Sequence, residues 1–287
     1  MPYSELDEQF LVPETKEGIR SRFEDIVPGP SDKGVVLWRY LDLAKLIALI
    51  NERKLYLTRT DAVKDKHEGS VTNPMIRARK EQFEGKSFNP VTLSNWLKHL
   101  KENTFISCWC MLPSESEAMW KLYCGEKHGV AITATYRDIE AALPDSSYKM
   151  APVQYLNYQN DRFPWDNYYY PFFHKRDAFA HESEVRIAQV ATDQYDDGSM
   201  PVSFSDPPTD AQRQLLEKER QRKALLRAER GMGISIKLDV INTIREIVVH
   251  PDAPDWYFTV VKEVVNKFIP ELGQRVRWSS MKGEPLF

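Results

Sequence analysis

The sequence predicts an α+β domain with a mixed or antiparallel central sheet flanked by helices. Apolar runs of strand length recur along the chain, with helical segments between only some of them. A doubly wound parallel sheet would alternate strands and helices regularly, because each parallel crossover needs a long connection. Uneven placement of helices among strands is instead typical of α+β folds. We expect a single domain over residues 34–287 with a helical insertion at 206–230.

Local patterns predict the elements of this domain. The run Val35–Tyr40 is continuous and apolar, as in a buried strand, and Asp42 then caps a helix whose apolar residues recur at 43, 46, 47 and 50. Ser114 and Glu117 are spaced as a capping box, which predicts a short helix after the middle of the chain. The other predicted strands are Leu55–Thr58, Thr104–Cys110, Gly129–Thr135, 149–155, 184–191, Ile234–Leu238, Glu246–Val249 and Arg275–Ser280, and the other helices hold Leu93–Leu100 and Tyr257–Phe268.

Composition and charge exclude several classes of protein. The 287 residues are 42% hydrophobic and 28% charged, near the average for globular domains, and the formal net charge is −3. Such a small charge does not draw the whole chain to nucleic acid or membranes. No apolar run approaches the roughly 18–20 residues that span a bilayer, and the acidic first residues do not resemble a secretory signal. With three cysteines and no disulfide framework, we expect a cytoplasmic protein without a membrane partner.

Two polar segments stand apart from the predicted core. Residues 1–33 hold prolines at 13, 28 and 30 and predict a loosely held N-terminal arm. Residues near 209–230 predict a projecting charged helix that ends before Gly231, with seven basic and three acidic side chains from position 213 onward. A solvated helix explains this pattern. The alternative is a helix that contacts phosphates, with nucleic acid as the partner of 213–230.

The stretch from His174 onward contains the densest set of chemically useful side chains. Glu182, Glu184 and Arg186 alternate where a strand is predicted to begin, so their side chains should point to one face. Lys175 lies just upstream. Two carboxylates that lie beside basic groups can have different pKa values, as acid-base chemistry requires. A salt-bridge ladder on a solvated strand face explains the same alternation and needs no function.

Arg39, followed by Tyr40, is the charged residue of the first apolar strand. We expect its guanidinium to leave the core at an end of the sheet, where five donors in a planar fork suit a phosphate or a carboxylate. Asp65 and Glu68 lie in the loop after the neighbouring predicted strand. An ion pair with either acid is therefore the alternative to a ligand site.

Aromatic side chains are concentrated in two places. Trp120 and Tyr123 are three residues apart and should share a helix face, most simply as core. Residues 155–173 hold nine aromatic side chains, which is too many for an ordinary exposed loop. This segment either packs over the sheet or supplies a stacking platform for a base. The six histidines have neither HExxH spacing nor a CxxC unit, so no metal site is predicted.

Four stretches, taken in order, resemble a known family. They are LWRYLDLAKLIALINERKLYLTRTDAVKDKHEGS from Leu37, FISCWC with EAMWKLYCGEKHGVAI from Phe105, HKRDAFAHESEVRIA from His174, and IREIVVHP from Ile244. Over about residues 35–280 the chain resembles the mostly bacterial family catalogued as domain of unknown function 2971. The family pattern has a proline where this chain has Lys66 and a strand serine where it has Cys110. The family brings no established reaction, and Cys110 is counted as a candidate ligand contact.

More distantly, the order of elements is similar to that of the ADP-ribosyltransferase fold. In that fold a basic residue ends the first core strand and a glutamate begins a later one. The similarity implies an NAD-using transferase or glycohydrolase that acts on a macromolecule or on NAD itself, with NAD as the cofactor. Arg39 would bind the pyrophosphate or ribose, and Glu184 would contact the ribose hydroxyl. This hypothesis requires Arg39 and Glu184 to converge in one pocket.

Two other functions fit the same residues. A non-catalytic, nucleic-acid-associated or stress-defence binding module would use the basic helix and the aromatic segment. A metal-dependent hydrolase or nuclease would use Glu182, Glu184 and Asp65. The predicted catalytic residues are Glu184 and Glu182, and the predicted ligand-binding residues are Arg39, Tyr40, Cys110, Trp120, Tyr123, Lys175, Arg186, Asp65 and Glu68.

Overall fold

The computed structural model describes residues 27–82, 97–125, 127–164, 167–191 and 231–283, together with Lys218, Gln221, Leu225 and Ala228. Within these residues, nine strands form one mixed, mostly antiparallel sheet and two more form a small parallel sheet. Helices flank the large sheet, so the predicted α+β class is confirmed.

Every predicted strand is present, but the predicted strand 149–155 is divided into two strands that belong to different sheets. Of the predicted helix Leu93–Leu100, residues 93–96 lie outside the described residues. The strands are β1 Val36–Leu41, β2 Lys54–Arg59, β3 Thr104–Cys110, β4 Val130–Thr135, β5 Tyr148–Pro152, β6 Gln154–Leu156, β7 His174–Arg176, β8 Glu184–Val190, β9 Gly233–Lys237, β10 Glu246–Val249 and β11 Val276–Trp278. The helices are α1 Leu43–Glu52, α2 Asn73–Gln82, α3 Glu117–Cys124, α4 Tyr136–Ala141, α5 Val240–Thr243, α6 Asp255–Phe268 and α7 Pro270–Gly273. Residues 97–102 are also helical, and short 3₁₀ turns occupy Thr60–Ala62, Tyr170–Phe172 and Asp177–Glu182.

Helix caps confirm one prediction and correct another. Asp42 caps α1 as expected, since its side chain accepts a hydrogen bond from the backbone N–H of Lys45 at 2.8 Å. The predicted capping box of Ser114 and Glu117 is wrong. Ser116 caps α3 instead and accepts from the N–H of Met119 at 3.4 Å, while Glu117 is the first residue of the helix. The true cap lies two residues later than the box pattern indicates.

The large sheet forks at β3. Strand β8 pairs with β3 along its whole length, from Thr104 to Cys110. Strands β1 and β2 must therefore share the other edge of β3, where β1 pairs at Cys110 and β2 pairs at Phe105 and Ile106. Between these two ladders, residues 107–109 of β3 have a strand partner on one edge only. We call this separation of β1 from β2 the fork.

One face of the sheet carries the main hydrophobic core. Leu37 of β1, Trp109 of β3, and Val185 and Ile187 of β8 point to this face and pack with apolar residues of α1 and α6. Because strand side chains alternate, Trp38, Cys110, Glu184 and Arg186 point to the opposite face. We call these the core face and the cleft face.

Two separate clusters cover the cleft face. The α3 cluster contains Trp38, Tyr40, Cys110, Met119 and Trp120. The aromatic cluster contains Ile106, Ala188 and Val190 of the sheet beneath the buried rings of Phe163, Tyr169, Tyr170, Phe172 and Phe173. The segment 155–173 therefore packs over the sheet, as one of its two predicted alternatives required, although Trp165 lies outside the described residues.

Most of both predicted polar segments lies outside the described residues. Of the N-terminal arm 1–33, only residues 27–33 are described. Of the insertion 206–230, Lys218, Gln221, Leu225 and Ala228 are described, each helical and exposed. The contact of 213–230 with nucleic acid remains a prediction. No helix among the described residues is long and apolar enough to cross a membrane.

Candidate functional site

The candidate site is a gap between the two clusters on the cleft face. Along β3, Ile106 is buried under the aromatic cluster and Cys110 under the α3 cluster, but Cys108 between them is exposed. An exposed residue in the middle of a strand with neighbours on both edges needs an opening above it. Cross-strand pairs place Arg186 opposite Cys108 and Glu184 opposite Cys110, so both side chains border this gap.

Five charged side chains form a continuous network beside the gap. The Nζ of Lys175 donates to Glu182 at 2.5 Å and to Glu184 at 3.2 Å. The Nε of Arg186 donates to Glu184 at 2.7 Å, and its two terminal nitrogens donate to Glu68 at 2.5 and 3.1 Å. Acid and base thus alternate in this charge network, which consists of Glu182, Lys175, Glu184, Arg186 and Glu68.

The charge network is buried, which corrects the alternative of a ladder on a solvated face. All five side chains are buried, and Arg186 is only 1% exposed. Transfer of ions out of water is costly unless each is paired and hydrogen-bonded. Arg186 is hydrogen-bonded as well as paired, because its guanidinium also donates to the carbonyl of Phe172 at 2.5 Å.

Backbone turns bring the carboxylates together. Glu182 belongs to the 3₁₀ turn rather than to β8, and Ser183 follows in the left-handed conformation with φ of 42°. This turn lets Glu182 and Glu184 reach the same lysine. Tyr155 fixes the start of β8, since its hydroxyl accepts a hydrogen bond from the N–H of Glu184 at 2.8 Å.

A glycine brings the fifth member, Glu68, to the network. Gly69 has φ of +63°, and a Cβ placed there would lie 2.4 Å from a ring carbon of Phe172. The loop can therefore approach the aromatic cluster only with glycine at this position. Asp65, earlier in the same loop, pairs with Arg176 at 2.9 Å. The two predicted acids of the loop are thus both placed near the site.

The charge network determines the protonation of Glu184. Burial alone would raise the pKa of Glu184, but Arg186 and Lys175 outweigh it and lower the pKa to about 2. Burial lowers the pKa of Lys175, but Glu184 and Glu182 raise it above its ordinary value. For Glu68, burial raises the pKa and Arg186 offsets this only in part. Glu184 is therefore a carboxylate at neutral pH and cannot serve as a general acid.

The cysteines of β3 are not activated nucleophiles. Cys108 is exposed to solvent, yet neighbouring groups surround it closely enough that desolvation raises the pKa of its thiol well above the ordinary value. Both observations hold because the residue lies at the bottom of a concave gap. Burial, with Glu184 nearby, raises the pKa of Cys110 to about 12. Since only a thiolate attacks readily, neither residue suits nucleophilic catalysis.

Helix α3 forms the opposite wall of the gap. Tyr123 is 49% exposed, and its hydroxyl donates to Glu182 at 3.1 Å, so it joins this wall to the charge network. Trp120 is buried and donates from its indole nitrogen to Glu115 at 3.3 Å. Tyr40 packs on Trp120 edge to face, and its hydroxyl accepts from the N–H of Ser116. Tyr123 therefore borders the gap directly, whereas Trp120 and Tyr40 support the wall from behind.

Arg39 does not join this site. Its guanidinium donates to the hydroxyl of Ser107 and, at 3.4 Å, to the carbonyl of Tyr56, and it lies 5.7 Å from the ring centre of Trp109. Ser107 and Trp109 point to the core face, opposite to Glu184. The prediction that Arg39 and Glu184 converge in one pocket is therefore wrong.

The predicted ion-pair alternative for Arg39 is also wrong, because Asp65 pairs with Arg176 and Glu68 with Arg186. One of these ion pairs also occupies Asp65, which the metal-dependent hypothesis requires as a ligand. Among the described residues, no group of three or more histidine, cysteine or acidic side chains could hold a metal ion. Both glutamates of that hypothesis are engaged by Lys175.

Two residues of the site were not among the predicted ones. Cys108 forms the bottom of the gap, and its alternation with Cys110 on β3 was the signal that could have identified it. Tyr155 carries no such signal, because its contact with Glu184 depends on the pairing of β6 with β7 and not on a sequence pattern.

Comparison with protein families, curated proteins and solved structures gave no match to this chain. The resemblance to domain of unknown function 2971, and the more distant one to ADP-ribosyltransferases, therefore remain predictions from the sequence.

Proposed function

We propose a narrower form of the ADP-ribosyltransferase hypothesis, in which Arg39 has no part: the gap binds the ribose of a nicotinamide nucleotide and cleaves its N-glycosidic bond, as an NAD-using transferase or glycohydrolase would. One observation carries this proposal. Two carboxylates, Glu182 and Glu184, share one buried lysine at the edge of an opening whose bottom is Cys108. A carboxylate held ionised in a partly desolvated site is suited to stabilise positive charge that develops on a sugar.

The two glutamates have different roles in this proposal. Glu184 accepts hydrogen bonds from Arg186, Lys175 and the thiol of Cys108, so most of its acceptor capacity is used within the protein. Glu182 accepts from Lys175 and from Tyr123, which is half exposed at the rim. We therefore assign the contact with the ribose to Glu182. Glu184 is a positioning residue that holds Lys175 in place.

The chemical step uses few protein groups. The bond between C1′ of the ribose and N1 of nicotinamide breaks, and its electron pair remains on N1, which neutralises the pyridinium. Positive charge then develops on the ribose, where the carboxylate of Glu182 stabilises it. Water or an acceptor hydroxyl adds to C1′ and releases its proton to solvent. Glu182 supplies the charge stabilisation, and no protein nucleophile is required.

The position of Arg39 limits what the site recognises. Because this guanidinium lies on the core face, it cannot hold the pyrophosphate of a nucleotide whose ribose contacts Glu182. We expect nicotinamide mononucleotide and NAD to be cleaved with similar kcat/KM. A strong preference for NAD would indicate a pyrophosphate contact that the described residues do not supply.

Release of nicotinamide tests the proposal. The protein is incubated with NAD, with and without a cell extract, and free nicotinamide is quantified by chromatography. Replacement of Glu182 by Gln should slow the release about 10²- to 10³-fold, as expected for loss of a charge-stabilising contact. Glu117→Gln is the matched control, because Glu117 pairs with Lys121 on the exposed side of α3 and should leave the rate unchanged.

Two outcomes would contradict the proposal. The wild-type protein could release no nicotinamide from either nucleotide, or Glu182→Gln could retain the wild-type rate while remaining folded. Thermal melting of each variant separates a loss of chemistry from a loss of structure.

A further inference from the structure

The fork contains the guanidinium of Arg39, which contacts no carboxylate within the part of the chain that the structure describes. Arg39 reaches from β1 into the space between β1 and β2, where it contacts the Ser107 hydroxyl and, at 3.4 Å, the Tyr56 carbonyl. The second contact is too long for a strong hydrogen bond. A guanidinium has five N–H donors, so most of the donors of Arg39 have no acceptor among the described residues.

The buried cations of the fold, in contrast, contact carboxylates. The buried basic residues Arg59, Lys175 and Arg186 each contact at least one carboxylate. Arg39 contacts no carboxylate among the described residues. Arg39 itself is half-buried, and this burial lowers the pKa of its guanidinium to about 10. A desolvated cation of this kind is stabilised by an anion that enters from solvent.

A second donor lies beside the fork. Trp109 is 1% exposed, and its indole N–H has no hydrogen-bond partner among residues 27–82, 97–125, 127–164, 167–191 and 231–283. The ring centre lies 5.7 Å from the guanidinium carbon of Arg39. Trp109 is one of the three β3 residues between the two ladders that have no strand partner on the edge shared by β1 and β2. A buried N–H without a partner is unfavourable, so an acceptor within reach of this indole N–H would be stabilising.

We infer that the fork binds one small oxyanion group, a phosphate or a carboxylate, between the guanidinium of Arg39 and the indole N–H of Trp109. An oxyanion can accept hydrogen bonds from both donors at once, because it has several acceptor oxygens around one central atom. The side chain of Arg39 points to the core face and that of Glu184 to the cleft face, so this inference does not depend on the proposed function.

Binding of inorganic ions tests the inference. The wild-type protein is titrated calorimetrically with phosphate and, in a second arm, with acetate, at constant ionic strength maintained with chloride. We expect saturable binding of at least one of the two ions, and the arm that saturates identifies the oxyanion. Replacement of Arg39 by Gln should weaken that binding at least tenfold, as loss of a charge-assisted contact implies. Arg137→Gln removes the same charge from an exposed position and should bind like the wild type.

A third variant examines the indole. Trp109→Phe retains a ring but removes the N–H, and binding should weaken about tenfold, as for one hydrogen bond to a charged acceptor. If Arg39→Gln does not fold, Arg39→Lys replaces it, since an ammonium keeps the charge but lacks the planar set of donors of a guanidinium. We then expect binding to weaken about tenfold. No ion binding beyond that of chloride, or wild-type affinity in the Arg39 variant, would overturn the inference.

Discussion

Arg186 and Arg39 lie on strands that both pair with β3, yet their surroundings are opposite. Arg186 contacts Glu184 and Glu68 and the carbonyl of Phe172, so its charge is compensated and its donors are used. Arg39 contacts a hydroxyl and a distant carbonyl. The difference indicates that the first guanidinium belongs to the fold, whereas the second is available to a ligand. The first prediction below tests this contrast directly, and the next two test the carboxylates that compensate Arg186.

The largest expected effect is on stability after the loss of Arg186. Replacement of Arg186 by Gln leaves two buried carboxylates, Glu184 and Glu68, without their shared cation, which should lower the free energy of unfolding by about 3–5 kcal/mol. Arg39→Gln should change it by less than about 1 kcal/mol, because no buried partner loses its counter-ion. Urea unfolding of both variants measures the difference. Equal losses would contradict the contrast between the two residues.

The pH dependence of stability should show the effect of Glu184. The pKa of this residue is lowered from 4.5 to about 2 in the folded protein, so between these values the unfolded chain binds more protons. Its contribution is therefore fully present above pH 4.5 and is lost as the pH falls toward 2, by roughly 3 kcal/mol. The check is urea unfolding at intervals across this range. Glu184→Gln should flatten the slope, and an unchanged slope in that variant would show that another group is responsible.

A smaller effect is expected from the loop that carries Glu68. Gly69→Ala places a methyl group against the ring of Phe172 and forces a left-handed residue to carry a side chain, which should cost about 1–3 kcal/mol. Gly231→Ala is the control, since Gly231 has φ of +57° and its added Cβ would meet nothing within 4 Å among the described residues. Chemical unfolding should show a larger loss for Gly69→Ala. A similar loss in the two variants would mean that backbone strain alone, without the Phe172 contact, decides the cost.

Much of the fold could be predicted because the signals are local. The helical spacing after Asp42 and the apolar run of β1 depend only on neighbouring residues, and both elements form where expected. The alternation of Glu184 and Arg186 likewise placed both side chains on one face. Such periodicity holds within an element regardless of what packs against it.

The relation between strands could not be predicted in the same way. Alternation gives the two faces of β1 and of β8, but not which face of one matches which face of the other. That match depends on the pairing of Trp38 with Cys110 and of Cys110 with Glu184 across β3. A shift of one residue in either pair would have placed Arg39 on the same face as Glu184. The acidic and basic members of the charge network were therefore predicted as site residues, and Arg39 was misassigned.

The fork has a mechanical consequence. Along their shared edge of β3, β1 is attached by one residue pair and β2 by two. The positions of β1 and β2 therefore depend mainly on their other neighbours, since β1 pairs with β4 over six residues and β2 with β9 over five. The spacing around Arg39, whose side chain contacts both sides of the fork, is set by these two outer ladders more than by β3.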